Sequence, residues 1–167
     1  RWSAALIFGV PIRCPDNIKG GLSTIEEKAL GAMSKAGTRP LVGVLDYGER
    51  PVHKGMHFMA TPAPAVESMT AFAASGCQMI AFSTGVGNLI GNMVSPTIKV
   101  SGNPQTVAKM GLNIDYDVCA IVEDGRTISE VGDEFYDYVL NVASGTRVSS
   151  EVLNQRETAI SRFEPSI

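Results

Sequence analysis

The sequence predicts an α/β fold, a mainly parallel sheet flanked by helices in a Rossmann-like, three-layer architecture. Three short apolar runs have the length and composition of strands, at residues 41–45, 77–82 and 97–101. The segments between them space their apolar residues as helices do, and strands that alternate with helices indicate a parallel sheet. Hydrophobic residues make up 44% and charged residues 19% of 167 residues, which suits a folded domain with a real core.

The first elements set the expected domain organisation. Residues 1–20 are predicted to be a lead-in segment from a preceding domain, and residues 21–167 a single α/β domain. The chain does not begin with methionine, so we expect that it was cut from a longer polypeptide.

Ser23 is a candidate N-cap, and Glu26, three residues later, would complete a capping box.

The elements in the middle of the chain follow from composition and spacing. Residues 41–45 are apolar and rich in Val and Leu, which predicts a strand buried on both faces. Apolar residues at helical spacing predict a helix over 65–75, and Gly76 is placed to end it. The second and third predicted strands, 77–82 and 97–101, enclose a glycine-rich loop.

The last third of the chain is predicted to be largely helical. A short helix follows Pro104, because proline is favoured at the first position of a helix. A long amphipathic helix is predicted from about 129 to 143. Residues 157–163 alternate weakly between polar and apolar side chains, which indicates an edge strand.

Charge and hydropathy exclude two classes of partner. The formal net charge is −3 and no basic stripe is present, so we expect neither nucleic acid nor a membrane surface as a partner. No apolar run reaches the length of a membrane span. The three cysteines are widely spaced, with no metal-binding or redox pair, which predicts free thiols in a reducing, cytoplasmic location.

Polar segments follow each of the three predicted strands. They occupy residues 46–50, 83–88 and 101–103. Ligands of parallel α/β sheets bind at the carboxyl ends of the strands. If the three strands are neighbours, these segments converge on one cleft.

Three interpretations of the glycine-rich loop follow from its residues alone. Gly85, Gly87 and Gly91 resemble a dinucleotide fingerprint, but no helix begins at the loop and the expected acidic residue is absent. A backbone nest that binds an oxyanion such as a carboxylate fits better. A plain structural turn remains equally open.

Charged residues beside the strands are the candidate reactive groups. Arg50 presents a planar fork that matches a carboxylate, and Glu49 beside it could orient that fork, bind a metal or move protons. A solvated surface pair is the alternative. Lys99 shares a strand face with Thr97 and Ser101, where desolvation would lower its pKa toward the range of a base. A lysine that reaches solvent at a sheet edge is the alternative there.

A series of segments, in order along the chain, resembles the altronate and galactarate dehydratase family. The matching segments are Gly20 to Lys28, the DYGER sequence at 46–50, FSTGVG at 82–87, SPTIK at 95–99, Ile114-Asp115 with Asp117, and the RE and AI pairs at 156–160. The resemblance spans nearly the whole chain. It identifies the chain as the C-terminal domain of a member of that family.

The resemblance implies an activity and its partners. Family members dehydrate aldonic or aldaric acids to 2-keto-3-deoxy acids, and a relative eliminates sulfite from sulfolactate. The implied partners are a small-molecule sugar acid and an N-terminal SAF-like domain of the same polypeptide, with a homodimer as a possibility. The implied cofactor is a divalent metal, iron in the family pattern, with ligands that the sequence does not identify.

The resemblance also implies roles for individual residues. Glu49 and Lys99 are the expected proton carriers and Tyr47 the third catalytic residue, although which group is base and which is acid stays open. Arg50 would clamp the substrate carboxylate. The other expected substrate-binding residues are Thr84, Gly85, Gly87, Asn88, Thr97 and Asp115.

Two departures from the family pattern leave the substrate open. Ala60 stands where the family commonly has aspartate, and Val118-Cys119 replaces an Ala-Gly pair. Both lie in predicted loops, so the preferred sugar acid can differ from that of better-known members. The alternative function is a non-catalytic α/β module that binds an anion or supports oligomerisation.

Overall fold

A computed structural model describes residues 23–24, 26–27, 37–62 and 64–160. The chain divides into two compact units, Arg1–Leu41 and Val42–Ile167. The predicted end of the lead-in segment at residue 20 lies outside the described residues, so that boundary stays a prediction.

Glu27 makes hydrogen bonds to Ser23 and Thr24 near the start of the described residues. The Glu27 amide donates to the Thr24 hydroxyl at 3.1 Å, and the Glu27 carboxylate accepts from the Ser23 amide at 2.8 Å. A capping box joins one pair of residues in both directions, whereas Glu27 bonds Thr24 through its amide and Ser23 through its carboxylate. The predicted box between Ser23 and Glu26 therefore stays a prediction.

The described residues form short strands and helices in an alternating order. The strands are β1 (Leu41–Leu45), β2 (Met56–Met59), β3 (Ile80–Ser83), β4 (Thr97–Ser101) and β5 (Tyr116–Asp117). The helices are α1 (Ala65–Ala74), α2 (Pro104–Met110), α3 (Ala120–Glu123), α4 (Ile128–Ala143) and α5 (Ser149–Val152).

A three-stranded parallel sheet lies at the centre of the second unit. Its strand order is β3-β4-β5, with Phe82 opposite Lys99 and Val100 opposite Tyr116. Parallel strands joined through helices define the α/β class, so the predicted fold class is confirmed. The predicted bounds of β4 are also confirmed.

Helix α4 covers one face of this sheet. Ile98 on β4 is fully buried and packs with Val142 of α4 and with Val148, while Phe135 and Tyr138 lie against the same cluster. A capping box that joins Thr127 and Glu130 fixes the start of α4. The long amphipathic helix predicted from about residue 129 is therefore confirmed.

The first predicted strand forms, but its predicted burial on both faces is wrong. Strand β1 pairs with β2 in a separate two-stranded sheet. Its side chains are partly or largely exposed, Val44 at 68%. An apolar, β-branched run fits any strand, and its composition does not specify which sheet it joins.

Two other predicted strands differ from the structure. The second strand begins at Ile80, later than predicted, and Cys77 before it is exposed. Residues 157–160 form no strand, and residues 161–163 lie outside the described residues. The Glu157 carboxylate instead accepts a hydrogen bond from the Gly91 amide, at 3.0 Å.

None of the helices in the described ranges is both long enough and apolar enough to span a membrane.

Candidate active site

The glycine-rich loop lies at the carboxyl edge of β3 and β4. The Thr84 amide extends the β3–β4 ladder by donating to Val100 O at 2.9 Å, and the Thr84 hydroxyl then accepts from the Gly87 amide at 3.0 Å. Gly87 has φ +86°, a conformation that favours glycine. A methyl group at Gly87 would overlap the Met110 sulfur, so the loop packs directly against α2.

Helix α2 holds this loop through one carbonyl group. Gly85 O accepts hydrogen bonds from Asn103 Nδ2 and Thr106 Oγ1, both at 2.7 Å. Asn103 is also the N-cap of α2, with its side-chain oxygen accepting from the Gln105 amide. The contacts that begin the helix thus fix the loop as well.

A depression of about 240 Å³ opens between the loop and α2. It is lined by Val86, Asn103, Gln105, Thr106, Lys109 and Met110. The amides of Gly85 and Val86, both exposed residues, have no hydrogen-bond acceptor among the described residues. Neighbouring amide donors can receive an anionic oxygen, and the cationic side chain of Lys109 lines the same depression as Val86.

Two further residues predicted from the sequence border this loop and the strand beside it. The Asn88 carboxamide accepts from the Ile90 amide at 2.8 Å and closes a turn. Thr97 is fully buried, and its hydroxyl donates to Ser95 O. Thr97 therefore contacts protein on all sides in this conformation.

Lys99 lies in the middle of β4 with its side chain fully buried. Its Nζ donates to Gln155 Oε1 at 2.5 Å. Burial lowers the pKa of Lys99 below its usual value, while the carboxylates of Asp115 and Glu157 partly oppose that shift. Lys99 therefore has the lowered pKa expected of a proton carrier, but substrate can reach it only after a rearrangement of the residues that cover it.

Asp115 accepts a hydrogen bond with each of its two carboxylate oxygens. Oδ2 accepts from the Lys99 amide at 2.8 Å and Oδ1 from the Ser149 amide at 2.6 Å. These bonds tie the start of α5 to β4. Asp115 also borders a second depression of about 310 Å³ together with Arg147.

The DYGER segment occupies a different part of the second unit. Glu49 is exposed, and its carboxylate accepts from the Asp46 amide in a local turn. Tyr47 donates to Glu67 O in α1 at 2.9 Å, and the Arg50 guanidinium lies close to Gly76. Since β1 belongs to the other sheet, these residues do not follow a neighbour of β3 and β4, and the expected convergence of three strand ends is not met.

The described residues do not fit a metal ion. No group of three or more His, Cys, Asp or Glu side chains among them could hold one. A metal site needs several such ligands within coordination distance.

Sequence reasoning missed Gln155 and Asn113. Gln155 Nε2 donates to Asn113 Oδ1 at 2.7 Å while its Oε1 accepts from Lys99. The partners are 42 and 56 residues from Gln155 along the chain. No local pattern marks such contacts, although the neighbouring Arg156-Glu157 pair belonged to a segment that resembles the family.

Comparisons with known proteins agree with this arrangement of segments. Residues 11–166 match the family model described as D-galactarate/altronate dehydratase, C-terminal. The chain therefore belongs to the D-galactarate/altronate dehydratase family and represents its C-terminal part.

Three relatives show the range within the family. The chain is 43% identical over 151 residues, 90% of its length, to a (2R)-sulfolactate sulfo-lyase subunit beta from Chromohalobacter salexigens. It is 36% identical over 87% of its length to an altronate dehydratase from Escherichia coli, and 37% identical over 80% to a galactarate dehydratase (L-threo-forming) from the same organism. The matches cover 39%, 29% and 25% of those relatives, so the chain spans well under half of each.

Proposed function

We propose that this chain supplies part of the active site of a lyase that dehydrates a sugar acid to a 2-keto-3-deoxy acid. The proposed substrate is an aldonic or aldaric acid of the altronate or galactarate type. The family match over residues 11–166 carries the proposal. Relatives named as dehydratases of these two acids support the reaction class.

The elimination needs a base, a stabilised anion and an acid. The base removes the proton beside the carboxylate, donors stabilise the enediolate, and the acid assists the departing hydroxide. The proposed proton carrier on β4 is Lys99, because burial lowers its pKa and increases the share of neutral amine. The Gly85 and Val86 amides, with Lys109 nearby, are proposed to hold an anionic oxygen of the substrate.

The remaining residues are proposed to act in the complete protein. Glu49 and Tyr47 remain proposed catalytic groups, and Arg50 a proposed carboxylate clamp. The divalent metal, the SAF-like domain, a cytoplasmic location and a homodimer likewise stay proposals.

A sulfo-lyase reaction is the second candidate. The supporting observation is the 43% identity, over 90% of the chain, with a (2R)-sulfolactate sulfo-lyase subunit beta. Sulfolactate also carries a carboxylate, and sulfite would leave in place of hydroxide. The same base and anion-stabilising donors serve either elimination.

The first experiment separates these functions. The complete protein, supplied with Fe(II) or Mn(II), is given a panel of aldonic and aldaric acids and (2R)-sulfolactate. Formation of a 2-keto-3-deoxy acid supports the dehydratase, and release of sulfite supports the second candidate. Turnover of none of these acids by folded, metal-loaded protein would favour the non-catalytic anion-binding or oligomerisation module.

The Gly85→Ala variant tests the loop itself. A methyl group at Gly85 meets no atom within 4 Å, so we expect thermal unfolding unchanged. Because it is attached beside the Gly85 amide, the methyl group would crowd an anion bound there and weaken one hydrogen bond to a charged group, raising KM roughly tenfold or more. Gly132→Ala, which also meets no atom within 4 Å, is the matched control in α4. Equal KM values for both variants would contradict the proposed loop contact.

A further inference from the structure

Gln155 is oriented with its carbonyl oxygen toward Lys99. Gln155 Oε1 accepts from Lys99 Nζ at 2.5 Å, and Gln155 Nε2 donates to Asn113 Oδ1 at 2.7 Å. A flipped carboxamide would set donor against donor at Lys99 and acceptor against acceptor at Asn113. Both partners together therefore select the orientation in which Gln155 accepts from the lysine.

The turn before Gln155 fixes its backbone. Asn154 has φ 58°, its amide donates to Glu151 O at 3.3 Å, and the Gln155 amide donates to Ser150 O at 2.8 Å. This pair of bonds is the Schellman motif at the end of α5, with asparagine in the left-handed position. The motif directs the chain from α5 back across β4.

The residues that follow remain attached at two further points. We name residues 153–159 the strap. The Glu157 carboxylate accepts from the Gly91 amide at 3.0 Å, and the Ala159 amide donates to the Thr70 hydroxyl at 3.1 Å. The strap forms no helix or strand, and most of its side chains are exposed. Backbone bonds to α5 anchor the start of the strap, and hydrogen bonds that involve a side chain hold Glu157 and Ala159 on the protein.

The strap occupies the position at the Lys99 amine that the proposed reaction requires for substrate. Lys99 is fully buried, and its amine already donates to Gln155. The Lys99 amine has further N–H donors, but the side chain is fully buried, so a substrate oxygen can reach Nζ only by displacing a residue that covers it. Gln155 contacts Nζ directly, so the strap and the substrate compete for the same space.

We propose that the strap is an autoinhibitory cover, in which the Gln155 carboxamide occupies the place of a substrate oxygen at Lys99 until a sugar acid displaces it. The inference rests on the proposed function, because it assumes that Lys99 meets the substrate. The charged groups that face Lys99 are Asp115, near the start of β5, and Glu157 on the strap. Opening the strap moves Glu157 away with Gln155, whereas Asp115 stays bonded to β4.

The Gln155→Met variant tests the competition in the complete protein. Methionine keeps the length and apolar volume of the side chain but cannot replace the paired amide contacts. We expect KM to fall about tenfold, the ratio that corresponds to one lost hydrogen bond, with kcat within about threefold of the wild type. Gln78→Met is the matched control, since the Gln78 carboxamide donates to Gly76 O in its own turn and to no long-range partner among the described residues.

Two measurements report the opening of the strap and do not depend on enzyme turnover. Acylation of Lys99 by an amine reagent, measured for each lysine by mass spectrometry, should be about tenfold faster in Gln155→Met, with exposed Lys109 as the internal reference. Hydrogen exchange at the Gly91 amide should also accelerate, because strap opening removes its Glu157 acceptor. Gln155→Asn, which is one methylene too short to reach both partners, should show the same changes if Gln155→Met folds poorly.

The outcomes separate the strap from the proposed function. Unchanged KM, Lys99 acylation and Gly91 exchange in both variants would overturn the strap. Faster acylation and exchange with unchanged KM would show that the strap opens but does not compete with substrate, and this too overturns the proposal. Full turnover by Lys99→Met would refute the proposed role of Lys99. If Lys99→Met is inactive but the Gln155 variants behave like the wild type, the autoinhibitory role of the strap is refuted and the role of Lys99 stands.

Discussion

The Gly91→Ala substitution probes the packing between the strap and the sheet. Gly91 is buried, and a methyl group there would lie 2.6 Å from Gln155 O and 2.6 Å from Ser150 Cβ. Separations this short are not tolerated, so atoms must shift. One of the opposing atoms is a backbone carbonyl oxygen, which cannot rotate away as the end of a long side chain can.

The magnitude follows from two contributions. Overpacking a well-packed site costs about 1–3 kcal/mol. Displacing the strap also weakens the Gly91–Glu157 and Lys99–Gln155 hydrogen bonds, each worth about 0.5–1.5 kcal/mol. We expect the free energy of unfolding to fall by about 2–4 kcal/mol. For a chain of this size the melting temperature should drop by roughly 5–15 °C.

Chemical and thermal unfolding of the variant and the wild type measure this change. Gly132→Ala is the control, because the methyl group meets no atom within 4 Å and alanine favours the middle of α4. That control should be stabilised by about 0.5–1 kcal/mol. A Gly91→Ala protein within about 0.5 kcal/mol of the wild type would refute the packing described here, since that is the range of neutral surface changes.

Two further predictions concern titrating side chains. Because burial lowers the pKa of Lys99, the charged ammonium reduces the free energy of unfolding. This reduction is present in full below the pKa of Lys99 in the folded protein, and it disappears as pH rises toward about 10.4, the pKa of lysine in the unfolded chain. The unfolding free energy of the wild type should therefore rise relative to Lys99→Met between neutral pH and about pH 10, and a pH-independent difference would contradict the shift. Burial raises the pKa of the Cys119 thiol to about 11, so alkylation near pH 8 should modify exposed Cys77 well before Cys119 in the native protein. Equal rates in a mass-spectrometric time course would count against this placement.

Elements with strong local patterns could be predicted from the sequence. The spacing of apolar residues identified α1 and α4, and the short apolar run between turn residues identified β4. Lys99 was placed on the strand face shared with Thr97 and Ser101, because side chains alternate along any strand. These predictions succeed because each depends on residues within a few positions of one another.

The candidate site could be predicted only in part. The ordered motifs identified the family, and the glycine-rich loop was placed correctly at the carboxyl edge of two parallel strands. The sequence could not show that β1 pairs with β2 in another sheet, which separates Glu49 and Arg50 from the edge formed by β3 and β4. Strand composition does not encode the choice of partner.

The order of residues along the chain was enough to predict the fold class, the family and the segments that carry polar side chains at strand ends. The full burial of Lys99 and its hydrogen bond to Gln155, 56 residues further along the chain, became visible only in the folded structure. Local preferences act between near neighbours, whereas such a contact depends on how the chain after α5 crosses the sheet. Burial and long-range hydrogen bonds, which set the pKa of Lys99 and its access to substrate, therefore appear only once the chain is folded.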